Sequence, residues 1–268
     1  MAYGRRRSTY RRKGRRGNRT LSTRRIFNNK GAKAQAAQIY ALRKSVSRIA
    51  RANRPEMKVQ YTTTANRGFG YGPGCVIDPQ IINMPGINQG TGDGSRIGNI
   101  VKIYPLKVNT ALFYETVINS RLGYPPFSEL RDHGGQVRFI ALQVKSAVDN
   151  PPALEDVFRE VTVDGTINSS MMMRMPFKTG ITSRYHILKN SVFSLSECKP
   201  QFSATLKVVP KIRTISWEDG FTYPRGNIWL IWLASGMVQR TSEEGEQTIK
   251  DYNTINVTWR MELPFTDA

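Results

Sequence analysis

The chain is predicted to be all-β: a single eight-stranded jelly-roll sandwich with a disordered-to-helical basic N-terminal arm. Three observations lead there. Beyond residue 55, apolar segments of strand length recur between Gly, Pro and Asn clusters, with no long helical period among them. Charge is divided sharply: residues 1–55 hold 18 Lys and Arg and no Asp or Glu, while the remainder holds 22 basic and 20 acidic residues. The apolar fraction is 39% of 268 residues, and with 22 glycines added it reaches the share usual for a globular core. The expected division is an arginine-rich nucleic-acid-binding arm over 1–55 and a jelly-roll shell domain over 56–268.

The arm comes first. Residues 2–30 are mostly Arg, Gly, Ser, Thr and Asn without apolar periodicity. Like charges repel and little apolar surface is available to bury, so this stretch is expected to be disordered. Residues 31–53 change to Ala, Gln, Leu, Arg and Lys, all good helix formers. Ile39, Leu42, Val46 and Ile49 recur at spacings of three, four and three, which places them on one helical face. Pro55 ends the segment by driving Arg54 out of the α region. Two roles fit such a helix: packing on the body, or forming against nucleic acid with its basic flank on phosphates and its apolar seam on a neighbour. A membrane-surface role ranks behind both, because the seam has no Trp or Phe.

Neutralising phosphates releases condensed counterions, so binding by this arm should be strong, salt-dependent and blind to base sequence. The planar guanidinium fork suits phosphate, and Arg outnumbers Lys here about three to one. The residues expected to carry the contact are Arg5, Arg6, Arg7, Arg11, Arg12, Lys13, Arg15, Arg16, Arg19, Arg24 and Arg25, followed on the helix by Arg43, Lys44, Arg48 and Arg51. Tyr3 and Tyr10 are candidates for stacking on unpaired bases. The clusters at 5–7 and 11–16 also have the composition of nuclear import signals.

In the body, residues 58–65 alternate with Val59 and Tyr61 on one side, a half-buried strand. Residues 75–93 contain two prolines and several glycines and read as loop. Residues 100–114 form a long strand run in which Pro105 marks a bulge or an edge. Residues 136–145 are apolar on both faces, a strand either buried twice or buried once and used at an interface. Residues 152–160 read as a short helix, and 184–188 with 191–195 as a tight hairpin about Lys189 and Asn190. Residues 202–215, 227–234 and 255–263 complete eight strands.

The methionines of residues 171–176 serve either as core filler or, as slightly favoured, as a loop at a subunit contact. Trp217, Phe221 and Tyr223 are assigned the same contact role, and the loops at 69–95 and 216–225 are where symmetry contacts or a receptor surface would be built. Lys102, Lys107 and Arg138 are lesser nucleic-acid candidates, or cations simply facing solvent.

No catalytic residues, cofactor or metal ligands are expected. The glycine cluster at 86–98 lacks the Gly-Lys-Ser/Thr ending of a phosphate loop and no helix follows it. Asp78, Asp93, Asp132, Asp149 and Asp164 share no spacing, and His133 and His186 stand alone. Cys75 and Cys198 fit reduced thiols packed as small apolar side chains. No apolar run reaches the length of a membrane span.

Five segments in order carry a resemblance. Gly90-Thr-Gly-Asp-Gly-Ser-Arg-Ile-Gly98 entering the strand at 100–108 is the first. Val137-Arg-Phe-Ile-Ala-Leu-Gln-Val144 with Pro152-Ala-Leu-Glu-Asp-Val-Phe158 is the second, and Arg184-Tyr-His-Ile-Leu188 with Val192-Phe-Ser-Leu195 the third. Gly226-Asn-Ile-Trp-Leu-Ile-Trp232 and Asn256-Val-Thr-Trp-Arg-Met261 close the series. Together with the arginine-rich start, this resembles the capsid proteins of circovirus-like CRESS single-stranded DNA viruses. The resemblance implies a jelly roll, self-assembly into a sixty-subunit T=1 shell, and an arm facing inward on a single-stranded DNA genome. It further implies location in the virion and, during assembly, the host nucleus, with nuclear import factors and a host-cell receptor as further partners and no membrane. A satellite RNA virus coat shares the pattern, and a cellular nucleic-acid-binding protein with a basic tail is the rival from another class.

Overall fold

The computed structural model describes residues 31–52, 56–92, 94–118, 134–159, 162–163, 166–167, 169–244 and 247–267. The chain divides into two compact units, Met1–Arg54 and Pro55–Ala268. The described part of the first is one helix, α1 (Ala32–Ala52), where the three-four-three spacing predicts it. Its interior has neither Gly nor Pro, and its apolar residues are spread thinly enough to form a seam and no more.

The second unit is built from strands β1 (Lys58–Tyr61), β2 (Ala65–Gly70), β3 (Cys75–Val76), β4 (Gln80–Asn83), β5 (Ile100–Ile103), β6 (Leu106–Val117) and β7 (Gly135–Val144). Helix α2 (Leu154–Val157), strands β8 (Thr162–Val163) and β9 (Thr166–Ile167), and helices α3 (Ser169–Arg174) and α4 (Ile181–Arg184) follow. Strands β10 (Tyr185–Leu195), β11 (Gln201–Val208), β12 (Thr214–Ser216), β13 (Ile228–Ser235), β14 (Gln239–Glu244) and β15 (Gln247–Asp267) complete it.

Two sheets face each other. One has the order β11-β6-β15-β2-β3, the other β10-β7-β13-β4. Counted along the chain, the eight framework strands run first, eighth, third, sixth in one sheet and second, seventh, fourth, fifth in the other. Two Greek keys wound this way make a jelly roll. The alternation along β6, with Leu106, Val108, Leu112 and Tyr114 buried and Lys107, Ala111, Phe113 and Glu115 exposed, fixes which face meets the core. Phe139 and Trp232, paired neighbours on one sheet, lie 4.6 Å apart, and across the gap Trp232 lies 6.3 Å from Trp259 of the opposing sheet.

A second apolar cluster covers the outer face of the β7–β13 sheet. Ile140, Leu142, Trp229 and Ile231 on the strands pack with Phe158, Met172 and Ile181. Strand β7 is therefore buried on both faces within one chain. The methionines are core filler rather than a contact loop: α3 carries Met172 and Met173 inward, at 0% and 4% exposure. Trp217 likewise packs on the main core, and Tyr223 meets Trp229 edge-on at 4.7 Å, so of that trio Phe221 is the exposed member.

Several expected elements are corrected. The tight hairpin at 184–195 does not exist. Arg184 ends α4, and Tyr185–Leu195 is one strand paired along all of β7, with an irregularity between Ile187 and Lys189. Lys189-Asn190 lacks the glycine a two-residue turn favours, and a ten-residue ladder outweighs a weak turn signal. The stretch 75–93 is not all loop: β4 lies in it and pairs with β13 through Ile81 and Ile82. Residues 58–65 divide into β1 and the start of β2, and 202–215 into β11 and β12. Pro105 breaks the run at 100–114 into β5 and β6, yet both halves pair with the single long strand β15. The closing strand is longer than expected because β15 continues into a hairpin with β14. Cys75 is half-buried, with burial raising its thiol pKa, but Cys198 is exposed rather than packed.

The glycine-rich loop is held from both ends of the body. Lys58 donates to Ser95 O at 2.7 Å and pairs with Asp267 at 3.0 Å, while the Ile97 N–H donates to Asp267 Oδ1 at 3.2 Å. Arg96 is 8% exposed, its guanidinium 4.2 Å from the Trp217 ring. The Lys58 hydrogen bond first, then the Ile97 N–H, hold the Asp267 carboxyl below its usual range. The contribution is thus complete above the ordinary carboxylate pKa of about 3.9 and disappears as pH falls through the lower folded value. Asp267→Asn is expected to speed hydrogen exchange of the Ile97 amide at neutral pH. Exchange identical to the parent would show that the clamp does not hold the loop.

Candidate nucleic-acid interface

The cationic residues fall into three groups. Arg5, Arg6, Arg7, Arg11, Arg12, Lys13, Arg15, Arg16, Arg19, Arg24 and Arg25 lie outside the described residues, as do Tyr3 and Tyr10. On α1, Arg43, Lys44 and Arg48 are exposed, and Arg51 occupies the last turn. The helical repeat sets Lys44 and Arg48 four residues apart on one flank, with Arg43 beside them. With no acidic residue anywhere in 1–55, the helix has no internal ion pair to neutralise these charges.

The third group is on the body, and here the structure separates the three lesser candidates. Lys102 is exposed on β5. Lys107 is exposed on β6 and lies 3.7 Å from Glu262. Arg138 is corrected: it is 4% exposed and faces the second core. Its guanidinium donates to Asn190 Oδ1 at 2.9 Å, to Met175 O at 3.1 Å, and to the carbonyls of Met172 and Met173. The rings of Phe158 and Phe177 lie 5.4 and 5.2 Å away. Burial lowers the pKa of this group, whose work is structural.

Sequence reasoning missed two cations that the register brings beside Lys107. Lys207 is its direct partner across the β11–β6 ladder, and Arg260 follows on β15, 5.2 Å from the ring of Tyr61. Beside Arg260 an open concavity of about 450 Å³ is lined by Asn109, Ala111, Ser203, Thr205 and Thr258 among others. Alternation along each strand marks these residues as outward-facing, but their grouping depends on pairing between segments far apart in the chain. The lining offers hydroxyls, amides and one guanidinium, which suits polar contact rather than nucleophilic chemistry.

Among the described residues no three His, Cys, Asp or Glu side chains come together in a way that would hold a metal ion. Asp93, Asp132, His133 and Asp164 lie outside them; the pKa of His186 is lowered by burial and by Lys145 and Lys211. Asp149 accepts the Thr222 N–H at 3.1 Å. No helix among the described residues is long and apolar enough to cross a membrane.

No protein-family model matches the chain, and no curated protein matches it. Among solved structures, Trichodysplasia spinulosa-associated polyomavirus VP1 in complex with 3'-sialyllactose aligns at a TM-score of 0.21 and 10% identity, over 81% of this chain and 96% of that one. Similarity of that size carries no functional argument, and the reading below stands on the chain itself.

Proposed function

We propose that this is the coat subunit of a small virus of the circovirus-like CRESS type, sixty copies closing a T=1 shell around a single-stranded DNA genome held by their arms. The observation that carries the reading is the union of a jelly-roll body, nearly neutral at 22 basic against 20 acidic residues, with an arm of 18 cations and no acid. A neutral sandwich can approach its own copies without net repulsion, while the arm requires a polyanion. Sixty arms neutralise on the order of a thousand phosphates, which matches a very small genome. The role is structural rather than enzymatic. The ordered resemblance of five segments supports the virus type, and the arginine clusters support passage through the host nucleus by its import factors. Loops between strands supply symmetry contacts and a receptor surface.

Particle size tests this directly. Light scattering of the purified protein should give a radius near 10 nm for a shell, against about 2–3 nm for a single copy. Small species alone, across salt and pH conditions and with nucleic acid present, would leave the cellular nucleic-acid-binding reading in its place.

A further inference from the structure

Among the described residues of its own unit, the apolar seam of α1 has no partner. Ile39, Leu42, Val46 and Ile49 are 65%, 46%, 63% and 59% exposed, an unusual state for four aliphatic side chains on one face. Their spacing is a clue to the occupant. A helix that docks on a sheet presents a broad apolar face, three to four residues per two turns. Three-four-three spacing gives the narrower seam of a coiled coil: β-branched Ile39 and Val46 take a and Leu42 takes d, as in parallel pairs, with Ile49 at the second d. Arg43, Lys44 and Arg48 all fall off the seam, so no charge interrupts it.

We infer that α1 associates in parallel and in register with α1 of a second copy of this chain, and that a bound polyanion is what permits it. Two considerations lead to the condition. Burying both seams removes on the order of 900 Å², short of the roughly 1,200 Å² typical of stable free-standing complexes. Pairing also brings together two helices that carry cations and no acids. Nucleic acid lying along the outer flanks cancels that repulsion and concentrates the arms, so nucleic-acid binding and helix pairing reinforce each other reciprocally. This rests on the proposed role of the arm in binding nucleic acid. Its consequence is that genome capture links neighbouring subunits from inside.

Cross-linking tests the register. In full-length protein with Cys75→Ser and Cys198→Ser, a single cysteine is placed either on the seam, Val46→Cys, or on the flank, Lys44→Cys. Each is mildly oxidised with and without a thirty-nucleotide oligo(dT), whose binding is followed by fluorescence anisotropy. The seam cysteine is expected to form at least about fivefold more disulfide-linked dimer than the flank cysteine when the oligonucleotide is bound, with the excess falling when it is omitted. Adding Ile39→Asp should reduce the seam yield to the flank level, whereas Ile39→Leu should preserve it. Equal yields at the two positions with the oligonucleotide bound overturn the pairing while leaving the arm's role intact. Failure of the oligonucleotide to bind overturns both.

Discussion

Protein lacking residues 1–30 is expected to yield empty or unstable shells, with an absorbance ratio at 260 and 280 nm close to that of protein alone. Those residues hold twelve of the arm's 18 cations. If every arm cation meets a phosphate, the logarithmic salt dependence of binding to single strands has a slope of about −13, and removing twelve leaves about −4. At physiological salt a change of that size amounts to several orders of magnitude in affinity. The body cannot compensate, since its own charge is close to balanced and Lys107, one of the three cations grouped on its outer face, is paired with Glu262. A truncated protein that retains its nucleic acid, with an unchanged salt slope, would show that packaging resides elsewhere.

The contrast in charge between residues 1–55 and the rest belongs to composition and needs no pairing to be read. The sandwich was legible too, but the eight expected strands were not the eight that form the framework. The supposed hairpin at 184–195 counted one strand twice, while the short strand Gln80–Asn83 went unseen between Pro79 and Pro85. The total agreed because the two errors cancelled. Both have one cause: a strand four residues long, or one crossing a polar Lys-Asn step, is stabilised by the ladder beside it and leaves little local signal. The same limit governs the interface. Period-two alternation on β7 makes Arg138 look solvent-facing, and only the packing of Phe158, Met172, Met173 and Ile181 over that sheet shows it to be buried.

Replacing Arg138 should therefore damage the fold rather than the packaging. Its guanidinium organises four oxygens at once: Asn190 Oδ1 on the edge strand and three carbonyls at the C-terminal end of α3 and just beyond it. Removing it leaves buried acceptors without donors, each at about 1–3 kcal/mol, and opens a void beside the stacked rings of Phe158 and Phe177. A total loss of about 3–5 kcal/mol is expected for Arg138→Ala, a melting shift of roughly 6–20 °C for a body of this size. Arg138→Met separates the two contributions, since it refills the space beside the rings but supplies no donor. If the hydrogen bonds dominate, as the four acceptors indicate, Met should recover less than half of the loss, and hydrogen exchange through Ser169–Arg174 should rise in both variants. Urea unfolding in high salt, with shells dissociated, keeps assembly from masking the change. A methionine variant as stable as the parent would make the guanidinium mere filler beside two phenylalanines. Unaltered nucleic-acid binding by the folded fraction is expected throughout, because the cations proposed to meet the polyanion belong to the arm.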